Sequence, residues 1–323
     1  MKGIEIKKAV LLFVFTALIG TVLSAQTRNE VVEAYNEGAK LAPTDVPGAI
    51  AAFEKVISLS DKVGETAADL KQKAVQILPG LYMKQASAKI SEKKPGPEVV
   101  QAAKASAAAA EKYGTDAQKD NAQKLLVQAY NQLATSYFTQ KDYEKATATF
   151  DSVLAINPDY LTAIYNKALI YRTQNNQEKY GETIDLYLSK LGPNDAERGK
   201  QASQAALEFY RAAGSQANQK ENLDEALRLL SKAEKYGQDK DLNYYFADVY
   251  NKQKNYDKAL EYAKKGLDME TGAADAKAKF FYQMAVAQAA KGQTAEACES
   301  FKNAMYGPFA EASKAQRTNL KCQ

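Results

Sequence analysis

Apolar positions recur along this chain at helical spacing, and no segment alternates Val, Ile or Thr as a strand would. One short phrase keeps returning within that pattern. Lys141-Asp142-Tyr143-Glu144-Lys145-Ala146 reappears as Lys254-Asn255-Tyr256-Asp257-Lys258-Ala259. Looser copies stand at Glu221-Asn222-Leu223-Asp224-Glu225-Ala226 and Gly292-Gln293-Thr294-Ala295-Glu296-Ala297. Each phrase reads as a turn entering a helix: a polar residue to cap it, an apolar or small residue, charge in the first turn, then Ala. The step is 33 residues from Ala226 to Ala259 and 38 from Ala259 to Ala297. Such a period argues for a repeat architecture of helical hairpins.

The clearest unit is 127–160. Tyr130, Leu133, Ala134 and Tyr137 mark a first helix, Ala146, Phe150 and Val153 a second, and Pro158 closes the unit. This arrangement resembles the tetratricopeptide repeat, a helix–turn–helix of roughly 34 residues with large and small residues at fixed places. Tyr130 stands for the usual Trp and Ala134 for Gly. Two small residues, Ala134 and Ala146, let the paired helix axes approach closely. Further copies are read at 207–240 (Tyr210, Gly214, Ala226, Leu230), 240–273 (Phe246, Ala247, Tyr250, Ala259) and 278–311 (Phe281, Ala285, Ala297, Phe301). The copy at 161–194 keeps Ala168, Tyr171 and Ile184 but places Tyr180 at the small position, so its two helices are expected to splay. Upstream, 31–60 is repeat-like and 66–113 reads as a longer hairpin.

The resemblance implies an all-α fold: a right-handed superhelical solenoid of about seven helix pairs with a C-terminal cap. The expected parts are a signal peptide at 1–25, degenerate hairpins at 26–122, the repeat array at 123–311 and the cap at 312–323.

Composition then removes whole classes of function. The 323 residues include no His and only 2 Cys, so His-dependent triads, His-ligated metals and four-Cys clusters are excluded. With 43 Lys+Arg against 39 Asp+Glu, the charge of +4 is too small for an obligate nucleic-acid binder. No P-loop, G-x-S-x-G or calcium-loop motif is present. Pairs such as Glu144/Lys145 and Asp257/Lys258 read as solvated helix faces. No enzyme activity and no cofactor are expected.

In the resembled family the working surface is the concave groove lined by first helices. Its positions fall here on Asn131, Thr135 and Phe138, on Tyr165 and Arg172, on Arg211, on Tyr244, Asp248 and Asn251, and on Tyr282. Mixed Tyr, Arg and Asn suits peptide binding, through amphipathic area and adaptable hydrogen bonds. The alternative for each tyrosine is packing against the next repeat. A clamp for a C-terminal carboxylate, which some members carry, is missing: Asn166 fits, but Asn131, Thr135, Glu208 and Ala212 replace its other residues.

At the N-terminus, Lys2, Lys7 and Lys8 precede an apolar run from Ala9 to Leu23, then Ser24 and Ala25. This is the form of a secretory leader cut after Ala25. No later segment is apolar enough for a membrane span. Export to an oxidising compartment favours a bond between Cys298 and Cys322; two free thiols are the alternative. The expected function is a non-catalytic scaffold in the bacterial periplasm, free or at the outer membrane, holding a protein or peptide segment in its groove, with envelope assembly a plausible setting. A small-ligand or glycan receptor and a structural oligomer are the alternatives.

Overall fold

The computed structural model describes residues 28–92 and 96–323. The expected leader lies outside the described residues. The described residues up to 163 and residues 164–323 form two compact units.

The first unit holds α1 (28–41), α2 (Val46–Val63), α3 (Ala68–Ser91), α4 (Pro97–Tyr113), α5 (Asp116–Thr139) and α6 (Tyr143–Ile156). Local chemistry sets several starts. Asp45 accepts from the Gly48 N–H at the head of α2, and α4 begins on Pro97, where a missing N–H costs nothing. Thr115 and Gln118 form a reciprocal capping box on α5. Each helix lies against the next, and α3 also lies beside α5. Val31, Ala34, Phe53, Val56, Ala74 and Leu78 make one core, and Ile90, Val99, Ala103, Leu126 and Ala129 another. Ala134 and Ala146 are both fully buried between α5 and α6, with Phe150 beside them.

The second unit holds most of α7, which begins at Leu161 and ends at Thr173, and continues with α8 (Gln177–Lys190), α9 (Ala196–Gln219) and α10 (Leu223–Tyr236). It ends with α11 (Lys240–Lys252), α12 (Tyr256–Met269), α13 (Ala274–Ala290), α14 (Thr294–Asn303) and α15 (Ala310–Asn319). The hairpins α9/α10, α11/α12 and α13/α14 stack in order, so each buries a face that it could not bury alone. The described residues are thus all-α, seven helix pairs and a terminal helix, with no strand among them.

Tyr180 is 1% exposed, with its ring 4.7 Å from Phe209 and 5.9 Å from Tyr210. The small residue at this place is its neighbour Gly181. A Cβ there would sit 2.5 Å from the Tyr210 hydroxyl, which donates to the carbonyl of Gln177. An aromatic cluster thus fills the space that Ala fills in the other pairs.

Candidate protein-interaction face

Three first helices of the second unit, α9, α11 and α13, lie side by side. The turn sequences put them there, because each partner helix (α10, α12, α14) starts at the same point of the repeat. Asn222 and Asn255 each accept from the backbone N–H three residues on, fixing the entry to α10 and α12.

Across these helices runs a ladder of polar side chains. Asp248 on α11 accepts from the Asn218 amide of α9 at 2.5 Å and from the Gln283 amide of α13 at 3.0 Å. Lys252 reaches Asn218 Oδ1 at 2.9 Å and Asp248 at 3.3 Å. Asn251 donates to the side chain and the carbonyl of Gln283, at 2.8 and 2.9 Å. A second rung lies one to two turns away. Arg211 pairs with Asp239, and Asp241 takes Lys279 at 2.5 Å with Arg211 at 4.0 Å. Asp239 also caps α11 by accepting from Leu242 N–H at 2.6 Å. Both rungs join successive repeats, so this face is preorganised by hydrogen bonds as well as by packing.

Tyr244 stands between the rungs. Its ring lies 6.3 Å from Phe280 of α13 and 5.3 Å from Tyr245, with Lys279 Nζ 5.6 Å from its centroid. Burial pushes its hydroxyl up to about 12, with the charge of Asp248 adding and a bond to Gln283 opposing. It therefore stays a neutral donor and acceptor at ordinary pH.

The residues read as groove positions divide by environment. Arg211, Tyr244 and Asp248 are half-buried and converge on this one face. Asn251 is 9% exposed, its amide committed to Gln283, so it is a strut between α11 and α13 and not an open contact. Tyr282 packs on Phe309 and Phe301, ring centroids 5.2 and 5.9 Å away. Tyr165 lies 4.9 Å from Tyr187 of α8, and Arg172 is half-buried on α7. In the first unit, Asn131, Thr135 and Phe138 share α5, with Thr135 exposed and Phe138 beside Tyr143 at 6.0 Å.

Sequence reasoning missed Asp239, Asp241, Lys279 and Gln283 as parts of the ladder. The signal available was the spacing of Asp241, Asp248 and Lys252 on one helix face, which reads as solvated charge until the neighbouring helix is placed.

The first unit has its own concavity, a cleft of about 750 Å³ lined by α2, α3 and α4. Ile57, Leu78 and Ala109 form part of its wall, and Tyr82 donates to Glu54 at 2.6 Å within it. Among the described residues, no cluster of three or more His, Cys, Asp or Glu could hold a metal ion, and no helix is long and apolar enough to cross a membrane.

Stacked helical hairpins joined by a laddered inner face define a repeat scaffold. Tetratricopeptide-repeat models match residues 127–160 and 241–271, so these two segments are similar to tetratricopeptide repeats. Among solved structures, YrrB, described as a TPR protein with an unusual peptide-binding site, is 19% identical. That match covers 58% of this chain and 91% of YrrB, with a TM-score of 0.35. MamA is 18% identical over 61% of this chain and 96% of its own, with a TM-score of 0.34. A tetratricopeptide repeat protein from Parabacteroides merdae ATCC 43184 is 17% identical over 92% and 99%, with a TM-score of 0.28. No curated protein matches the chain.

Proposed function

We propose that the chain is an exported, non-catalytic scaffold that holds an extended protein segment against α9, α11 and α13. The observation that carries this reading is the ladder through Asn218, Asp248 and Gln283. It ties three successive first helices together and leaves Arg211, Tyr244 and Asp241 partly exposed along one line. Side chains already held in place lose little further entropy when a partner arrives. The surface offers a cation, a carboxylate and an amphipathic ring, the groups that read a backbone and its side chains.

Site-specific photocrosslinking in a bacterial host tests the reading. A photoreactive residue at exposed Ala212, beside Arg211, is expected to give a discrete protein adduct. The same probe at exposed Lys264 of α12 serves as the control. Equal adducts from both positions would remove the inner face as the binding surface. Export is tested on the same material: N-terminal sequencing should begin at Gln26 in the periplasmic fraction, and a chain beginning at Met1 would remove it.

A further inference from the structure

The last helix is held differently from the others. Only Ser313 of α15 is fully buried, where the preceding helices bury Phe, Leu or Ala. Beyond the helix, Leu320 is half-buried against the cluster of Ala285, Ala297 and Phe301. Before it, Phe309 meets Tyr282 at 5.2 Å. A ten-residue helix with so little apolar burial does not hold its place by packing alone.

What remains is a covalent tie. Cys298 of α14 is bonded to Cys322, with Cα atoms 5.5 Å apart and a sequence separation of 24. The turn after α15 presents the second cysteine to the first. Lys321 takes a left-handed conformation (φ 54°), and the Cys322 N–H donates to the Arg317 carbonyl at 2.9 Å. Arg317 in turn donates to the carbonyls of Cys298 and Gln323. Both cysteines are half-buried, so the bond is within reach of a small reductant.

We infer that the Cys298–Cys322 bond is a redox latch on the C-terminal helix. Oxidised, it keeps Phe309 and Leu320 over the end of α13 and α14. Reduced, it releases them and uncovers an apolar end face made by Tyr282, Val286 and Phe301. The reductant is a dithiol. One thiolate attacks a sulfur of the bond to give a mixed disulfide, and the second thiol displaces the protein thiol. Two electrons and two protons pass to Cys298 and Cys322, and the dithiol leaves as its own disulfide. The latch is independent of the groove reading, because no partner enters it.

Hydrogen exchange on the full chain tests it in three states: oxidised, reduced with dithiothreitol, and as the Cys298→Ser, Cys322→Ser double variant. Alkylation and mass confirm the redox state of each sample. Amides of 310–319 should lose roughly 100-fold protection on reduction and in the double variant, those around Tyr282 roughly 10-fold, and those of α9–α11 none. Equal protection of α15 in all three states would overturn the latch. So would a loss spread evenly over 164–323, which would make the bond a general staple.

Discussion

The residue before each cap asparagine or aspartate shows how much one position can hide. Lys141, Asn175, Glu221 and Lys254 all have positive φ, between 54° and 62°, at the same place in successive hairpins, where the last turn has Gly292. In each, the residue that follows donates its N–H back five positions, as Asp142 does to Tyr137 and Asn255 to Tyr250. That is the bonding of a Schellman end, with a side-chain-bearing residue where glycine would be free of strain. The caps were legible in the sequence as a polar residue before an apolar or small one and charge. The left-handed residue was not, since Lys and Glu carry no mark of it. Lys254→Gly should stabilise the chain by about 0.5–1 kcal/mol, read as a higher denaturant midpoint at unchanged slope. Asn255→Ala should cost about 1 kcal/mol in the same assay, because the Lys258 N–H loses its acceptor. A second hidden regularity sits at the same turns. Lys145, Lys179 and Lys258 each lie over the tyrosine eight positions earlier, at 5.6, 5.5 and 5.0 Å, so the recurring lysine packs as well as solvates.

Between elements, charge does work that pattern reading assigned to solvent. Glu270, in the connection from α12 to α13, is 6% exposed, and its partner Lys240 heads α11 at 2.9 Å. That bond, with the Gly272 N–H at 2.9 Å, holds its carboxyl below the usual glutamate range. A carboxyl whose folded pKa is lowered stabilises the fold above its unfolded value of about 4.3 and loses that contribution as pH falls through the folded value. Melting temperature should therefore drop between about pH 5 and pH 3 by more in the parent than in Glu270→Gln, which has no such proton to take up. Equal acid slopes would remove Glu270 from the account. The inner-face ladder obeys the same logic. Asp248 was legible as a position on the right face, yet two of its three partners, Asn218 and Gln283, come from two other helices. Periodicity fixes which residues share a face within one helix, but not which atoms meet across two.

At the scale of the whole chain, the all-helical repeat was readable because hairpin formation is local. Small residues, caps and a fixed step lie within about 40 residues of each other, and neighbouring units then have little choice but to stack. The degenerate pair was readable only as a departure. Tyr180 broke the pattern, while the compensating glycine stood one position away and the ring cluster involved Phe209 and Tyr210 from the next pair. Where units stack, their stabilities couple mainly to nearest neighbours, and this can be tested at Gly266 of α12. A Cβ at Gly266 would meet the ring of the fully buried Phe280 at 2.3 Å and Asn243 Cβ at 3.2 Å. Neither can retreat without disturbing the contact of α12 with α13. Gly266→Ala should therefore destabilise by about 1–3 kcal/mol, outweighing the gain in helix propensity of about 1 kcal/mol that alanine brings. Hydrogen exchange should show the loss centred on α11–α14 and absent from α1–α4. Uniform loss through residues 28–323 would mean that the hairpins fold as one block and not as coupled neighbours.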